Sequence, residues 1–264
     1  MKIVVCIKQV PETTEVKINP ETNTLMREGV ASITNPFDEF ALEEALLIKE
    51  KYGGEVHVIS MGPPQAVDVL KNALAVGADK VYLLSDRAFA GADTLATAYT
   101  LAKTIEKIGG VDLVICGKQA IDGDTAQVGP GTATRLGFPQ LTYVSKVRAV
   151  DPAKKKIVVE RMLEHGREVV ESSLPAVMTV VKDINEPRLP SLLGIKKAAK
   201  AAIPTWTAKE IEVDENRVGL KGSPTWVWKI FSPEARGGGE VLKGELTEVV
   251  PLLVNKLMDL KLIK

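Results

Sequence analysis

The sequence predicts an α/β fold: a three-layer, doubly wound, mostly parallel sheet with an antiparallel strand extension and a C-terminal arm. Three observations predict it. Short, almost wholly apolar runs alternate with stretches of helical periodicity along the first half of the chain, the pattern of parallel strands joined by crossover helices. These runs are rich in Val, Ile and Leu throughout rather than at every second position, as strands covered on both faces must be. Aromatic residues make up only 5% of the chain while Ala and Val are plentiful, which suits helices laid closely on a sheet.

The first strand is expected from Lys2 to Lys8 and ends at Gln9-Val10-Pro11. Thr13 to Thr34 carries Asn19-Pro20 and Glu28-Gly29 turn signals and is expected to make a hairpin-like excursion. Asn35-Pro36-Phe37-Asp38 then reads as a helix start, with Asn as N-cap, Pro at the first helical position and an acid in the first turn. Phe37, Phe40, Ala41, Ala45, Ile48 and Tyr52 form its inner face, and Gly53-Gly54 ends it. A second strand, Glu55 to Met61, stops at Gly62-Pro63-Pro64. The next helix turns Ala66, Val67, Leu70 and Leu74 inward and is capped at Gly77. Lys80 to Leu84 is the third strand. Asp93 caps a helix with Leu95, Ala98, Ala102 and Ile105 on its inner stripe, closed by Gly109-Gly110.

Val111 to Cys116 is the fourth strand, and a loop from Gly117 to Gly131 leads from it into a short helix ending at Leu136. After Pro139, the runs Thr142 to Val150, Lys156 to Met162 and Arg167 to Ser173 alternate in polarity between turns, predicting an antiparallel meander, and Ala176 to Val181 reads as one more buried strand. From Asn185 the pattern loosens. An arm packed on another subunit explains the later apolar residues, with Trp206, Trp226 and Trp228 as buried anchors of that contact and Thr247 to Leu260 as a final amphipathic helix.

Composition excludes several functions. Thirty-four basic residues balance 34 acidic ones among 264, which gives no overall pull toward nucleic acid or an anionic membrane. The basic run at Lys196, Lys197 and Lys200 lacks interleaved aromatics and reads as a solvated or partner-facing surface. No apolar run approaches the roughly 20 residues of a membrane span. Met1-Lys2 passes straight into Ile3-Val4-Val5-Cys6-Ile7 without a secretory pattern, so a cytoplasmic protein is expected. Cys6 and Cys116 lie in strand-like runs and read as small hydrophobes, and His57 and His165 as structural or solvated, so no metal site is expected.

Ligands of such sheets sit beyond the carboxyl ends of the strands, where three loops converge: Cys6 to Pro11, Met61 to Pro64 and Gly117 to Gly131. The last carries four glycines, which let backbone approach a ligand, and it opens a helix whose first amides suit a phosphate. It lacks the Gly-Lys-Ser/Thr end of a P-loop, and Gly129-Pro130-Gly131 is only a fragment of a dinucleotide fingerprint. Asp122 and Asp124 read as turn formers without a role in proton transfer, and Lys118 meets either phosphate or solvent. No Ser/His/Asp or Cys/His set is present in a persuasive order. A nucleotide site without reactive side chains suits a protein whose cofactor carries the chemistry; a stand-alone nucleotide-binding regulator stays open beside it.

Four segments carry a resemblance. Val4-Val5-Cys6-Ile7-Lys8-Gln9-Val10-Pro11, Asn35-Pro36-Phe37-Asp38-Glu39, Gly117-Lys118-Gln119-Ala120-Ile121-Asp122-Gly123-Asp124 and Asn185-Glu186-Pro187-Arg188 resemble the beta subunit of electron transfer flavoprotein, in the same order and over nearly the whole chain. The resemblance implies an adenine-nucleotide-binding, Rossmann-like domain over 1–184. Over 185–264 it implies a recognition loop and an arm packed on the alpha subunit. It also implies FAD, or alternatively structural AMP, in the beta-subunit site. Asp122-Gly123-Asp124-Thr125, Val10-Pro11 and Gly91-Ala92-Asp93-Thr94 resemble the electron-bifurcating group, which implies FAD, NADH and a low-potential acceptor such as ferredoxin or flavodoxin.

By matched position, Cys6, Asn35, Met61, Thr94, Asp122, Gly123, Asp124, Thr125, Ala126, Gln127, Val128 and Thr132 are the implied cofactor-binding residues. Gly123 would make room for an isoalloxazine ring and Thr94 would offer a hydroxyl at a helix start. Leu192 matches the leucine that anchors in an acyl-CoA dehydrogenase-type flavoenzyme, and Leu193 stands where ordinary members carry a proline. No catalytic side chain is implied.

Overall fold

The computed structural model describes residues 1–12, 32–228 and 237–263. Its chain forms two compact units, Met1–Trp228 and Lys229–Lys264. In the first unit the chain runs β1 (Lys2–Cys6), β2 (Gln9–Pro11), β3 (Ser32–Thr34), α1 (Pro36–Tyr52), β4 (Glu55–Met61), α2 (Val67–Val76), β5 (Lys80–Leu84), α3 (Thr94–Ile108), β6 (Leu113–Gly117) and α4 (Val128–Leu136). It continues through β7 (Gln140–Asp151), β8 (Lys156–Leu163), β9 (Gly166–Ser173), β10 (Ala176–Val180), α5 (Leu192–Ala199) and β11 (Thr205–Trp206). The expected excursion from Thr13 falls largely on residues 13–31, outside the described residues; Ser32–Thr34 at its end pair antiparallel with Gln9–Pro11.

Nine strands form one sheet in the order β11-β5-β4-β1-β6-β10-β7-β8-β9. All pairings from β11 to β7 are parallel, and β7, β8 and β9 are the expected antiparallel extension. Alternation along β1 sorts its side chains between two cores. Ile3 and Val5 pack with Ala41, Ala45, Leu70 and Ala73 of α1 and α2. Val4 and Cys6 pack with Tyr99, Leu101 and Ile105 of α3 and Ala133 of α4. Helices on both faces of the sheet make three layers.

Some inner-face residues differ from expectation. Phe37 is only half-buried, Val67 gives way to Val69 and Ala73, and Leu95 is exposed while Leu101 turns inward. Apolar residues beside the buried stripe, Val67 and Leu95 among them, blur its edge in the sequence pattern. Asp38, Glu43 and Glu44 are buried on α1, against the rule that carboxylates face water.

The segment after Asn185 is more ordered than its composition suggests. Asn185 Nδ2 donates to Glu44 (3.0 Å), and the Arg188 guanidinium grips Glu43 from Nε and Nη2, both at 2.9 Å. Burial pushes the Glu44 carboxyl up, against the Asn185 bond. Trp206 is half-buried within this chain, where it extends the sheet edge and stacks on Tyr82 with ring centroids 4.3 Å apart. Trp226 and Trp228 are exposed and meet edge to face at 5.2 Å. In the second unit, α6 (Leu246–Asp259) is the expected final helix, and its apolar residues Leu246, Val250, Leu253 and Met258 are exposed within this chain.

Candidate functional site

From β1 the chain moves through β4 to β5 on one side and then returns to place β6 on the other. The reversal leaves a crevice at the carboxyl ends of β1 and β6, where Cys6 and Cys116 stand in register. A cleft of about 1070 Å³ opens there, as large as the roughly 300–1,000 Å³ pockets that hold cofactors. The three expected loops line it, joined by Ser85–Thr94 after β5 and by Thr225 and Val227.

The Gly117–Gly131 loop is held from several sides. Asn35 occupies the N-cap position as expected, but its side chain makes no capping bond; its amide holds the loop instead, Nδ2 donating to Gln119 O (2.8 Å) and Oδ1 accepting from Ile121 N (3.1 Å). Pro36 supplies the helix start without that cap. Lys8 Nζ pairs with Asp122 at 2.6 Å, Gln119 donates to Asp124, and Thr94 Oγ1 meets Thr125 Oγ1 at 3.2 Å across the cleft wall. Asp124 and Ala126 both sit at φ 55°. That conformation suits Asp but costs Ala126 roughly 1 kcal/mol, a cost that the surrounding bonds offset.

Only one of the four glycines opens onto the ligand space. A Cβ at Gly117 would lie 2.4 Å from Asp38 Oδ1, one at Gly129 2.4 Å from Thr179 Cγ2, and one at Gly131 2.9 Å from Ala98 Cβ. These three are contacts inside the protein, where helix meets strand at Gly117 and Gly129 and helix meets helix at Gly131, too closely for a side chain. At Gly123 a Cβ would meet nothing, and its backbone is outside the left-handed region.

Among the implied cofactor residues, Cys6, Asn35, Met61, Thr94, Asp122, Gly123, Asp124, Thr125, Ala126 and Val128 line the cleft. Gln127 and Thr132 do not. Gln127 is the exposed N-cap residue of α4, and buried Thr132 gives its hydroxyl to Val128 O at 2.8 Å. The first-turn amides of α4 at Val128 and Gly129 belong to the cleft wall and are of the kind a helix cannot bond to itself. Lys118 lies over the rings of Phe37 (5.8 Å) and Tyr143 (5.3 Å). Leu192, 86% exposed, opens α5 beside exposed Leu189 and Leu193, with Ser191 capping the helix.

Two site residues escaped the sequence reading. Asp38 read as an acid complementing the helix dipole, yet it lines the cleft and accepts Lys8 N (2.8 Å) and Gly117 N (3.2 Å). Its spacing from Ala41, Ala45 and Ile48 placed it on the buried stripe, which was the available signal. Asp93 caps α3 as expected, and its second oxygen also takes Thr225 N (3.1 Å) and Thr225 Oγ1 (2.8 Å), fastening a distant strap to the cleft mouth. Among the described residues no group of three His, Cys, Asp or Glu side chains is placed to hold a metal ion, and no helix is long and apolar enough to cross a membrane.

Known proteins match this chain along most of its length. The family model described as the electron transfer flavoprotein domain matches residues 22–211. The electron transfer flavoprotein subunit beta of Thermoanaerobacterium thermosaccharolyticum is 54% identical over 97% of this chain and 98% of its own. The caffeyl-CoA reductase-Etf complex subunit CarD of Acetobacterium woodii is 52% identical over 98% of each. Protein FixA of Azorhizobium caulinodans is 51% identical over 89% of this chain and 86% of its own. With a domain match across most of its length and relatives of this similarity end to end, the chain belongs to the electron transfer flavoprotein family, among its beta subunits.

Proposed function

We propose that this subunit binds FAD in the β1/β6 cleft and, with an alpha subunit, transfers electrons by bifurcation between NADH, an acyl-CoA dehydrogenase-type flavoenzyme and a low-potential acceptor such as ferredoxin or flavodoxin. Gly123 is the observation that carries the reading. Neither packing nor backbone conformation demands glycine there, so its missing side chain is best explained by what fills the space beside it. The residues present fit FAD: the cleft is large enough, Cys6, Met61, Ala126 and Val128 offer an apolar wall, and the start of α4 offers backbone donors to a phosphate. One relative is named as part of a caffeyl-CoA reductase-Etf complex, which supports a flavoenzyme partner of the acyl-CoA class.

A bound flavin supplies the hydride and single-electron chemistry, and the chain's own residues position it. Asn35 fixes the loop at Gln119 and Ile121, the Lys8–Asp122 and Thr94–Thr125 contacts hold its middle, and Asp93 ties the strap carrying Val227 to the cleft mouth. No side chain is asked to act as nucleophile. Structural AMP in the same cleft is the competing reading. FAD released from this subunit on denaturation supports the proposal, and AMP in its place sinks it.

The exposed end of α5 is proposed as the docking point for the flavoenzyme. Asn185 and Arg188 clamp the preceding segment to α1, so Leu192 projects from a fixed base and loses little freedom on docking. Leu192→Ala is expected to slow electron delivery to that partner by about tenfold or more, the scale of a docking hot spot, with flavin content unchanged. Equal loss of flavin and delivery would mark a folding defect and remove the docking role.

A further inference from the structure

Among the charged side chains that line the cleft, Asp38 is the buried one, only 6% exposed. Its two oxygens are held by backbone from two strand ends, Oδ2 by Lys8 N at 2.8 Å and Oδ1 by Gly117 N at 3.2 Å. Lys8 lies two residues beyond the end of β1 and Gly117 is the last residue of β6, so Asp38 spans the floor of the crevice where the topology reverses. The packing is close enough that Gly117 has no room for a Cβ beside it.

The charged and titratable groups around Asp38 leave it without an ion-pair partner. Its own helix offers the Asn35 amide and Glu39; β1 and the turn after it bring Cys6 and Lys8, β6 brings Cys116, and the loop beyond brings Lys118 and Asp122. Lys8 gives its Nζ to Asp122 at 2.6 Å, and Lys118 lies over Phe37 and Tyr143. Burial pushes the Asp38 carboxyl up to about 7, outweighing the hydrogen bonds from Asn35, Lys8 and Gly117 that pull the other way.

We infer that Asp38 is a positioning residue that couples nucleotide binding in this cleft to the uptake of a proton. This rests on the nucleotide reading given above. A ligand over the crevice shuts the carboxyl from water and brings phosphate charge near it, and both effects favour the neutral acid. The proton comes from solvent and nothing is oxidised. Protonation gives one carboxyl oxygen an O–H and leaves it a poorer acceptor, which weakens one of the two backbone bonds, at Lys8 or Gly117. Through Lys8 and its pairing with Asp122, the change reaches the glycine loop.

The sign follows from linkage. If the complex favours protonated Asp38, affinity is full below the free protein's value of about 7 and falls as pH rises through it, by up to about tenfold per unit. The test is calorimetric titration of the nucleotide-stripped heterodimer with FAD between about pH 6 and about pH 8, in buffers of different ionisation heat. FAD is the better probe because a phosphate monoester such as AMP titrates itself near pH 6. Proton uptake and falling affinity are expected in the wild type, and neither in Asp38→Asn. Infrared difference spectra of the wild type should gain a protonated-carboxyl C=O band on binding, a readout that stands even where the variant does not fold.

FAD binding without proton uptake, or uptake unchanged in a folded Asp38→Asn protein, overturns the inference alone. Failure of the wild type to bind either FAD or AMP overturns the nucleotide reading and this inference with it.

Discussion

Gly123→Gln is expected to lower FAD affinity at least about tenfold, a loss of roughly 1.4 kcal/mol or more, while AMP affinity and folding stability change little. The asymmetry follows from the environment of the glycine. A Cβ at Gly123 meets no protein atom and the backbone there is not left-handed, so the folded chain tolerates the substitution within about 0.5 kcal/mol. A Gln side chain would instead enter the open space beside the loop, which the proposed site assigns to the ring of FAD and leaves empty with AMP. Competitive binding of FAD and AMP to wild type and variant, with denaturation midpoints alongside, measures all three quantities. Unchanged FAD affinity in a folded variant would place the ring elsewhere.

Gly117→Ala is expected to do the opposite, harming the fold first. The added methyl would sit 2.4 Å from Asp38 Oδ1 and 2.6 Å from the Phe37 carbonyl carbon, neither of them the loose end of a flexible side chain. Overpacking of this kind costs roughly 3 kcal/mol, or about 6–12 °C of Tm in a chain of this size. Because the same displacement breaks the Asp38 bond to Gly117 N, both nucleotides should bind more weakly. A Tm within about 2 °C of wild type would contradict the account of the crevice floor. The two glycines lie in one loop, yet the proposal ties one to the ligand while packing ties the other to α1.

The sheet was legible because its signals are local and redundant. β1, β4, β5 and β6 are mostly apolar runs, and Gly53, Gly77, Asp93 and Gly109 mark helix ends at the expected places. What escaped were roles set by contacts distant in sequence. Asn35 sits where an N-cap belongs, but a loop more than eighty residues away takes its side chain. The Gly117–Gly131 loop was readable as a wall of the cleft, whereas the packing roles of its glycines depend on Asp38, Thr179 and Ala98. Asp38 itself had a visible cue in its helical spacing from Ala41 and Ala45, masked by the general preference for acids in a first turn. The order of 185–228 was hidden because its anchors, Glu43, Glu44 and Asp93, lie on α1 and before α3. No local pattern in a Pro-rich segment announces such partners.

The central claim is that the β1/β6 cleft is a flavin site, and the nucleotide content of the purified heterodimer tests it most directly. Denaturation of this subunit with its alpha partner, followed by chromatographic quantification of the released nucleotides, should yield two FAD per heterodimer, one from each subunit, and no AMP. One FAD accompanied by one AMP would contradict the claim and assign the cleft a structural nucleotide instead.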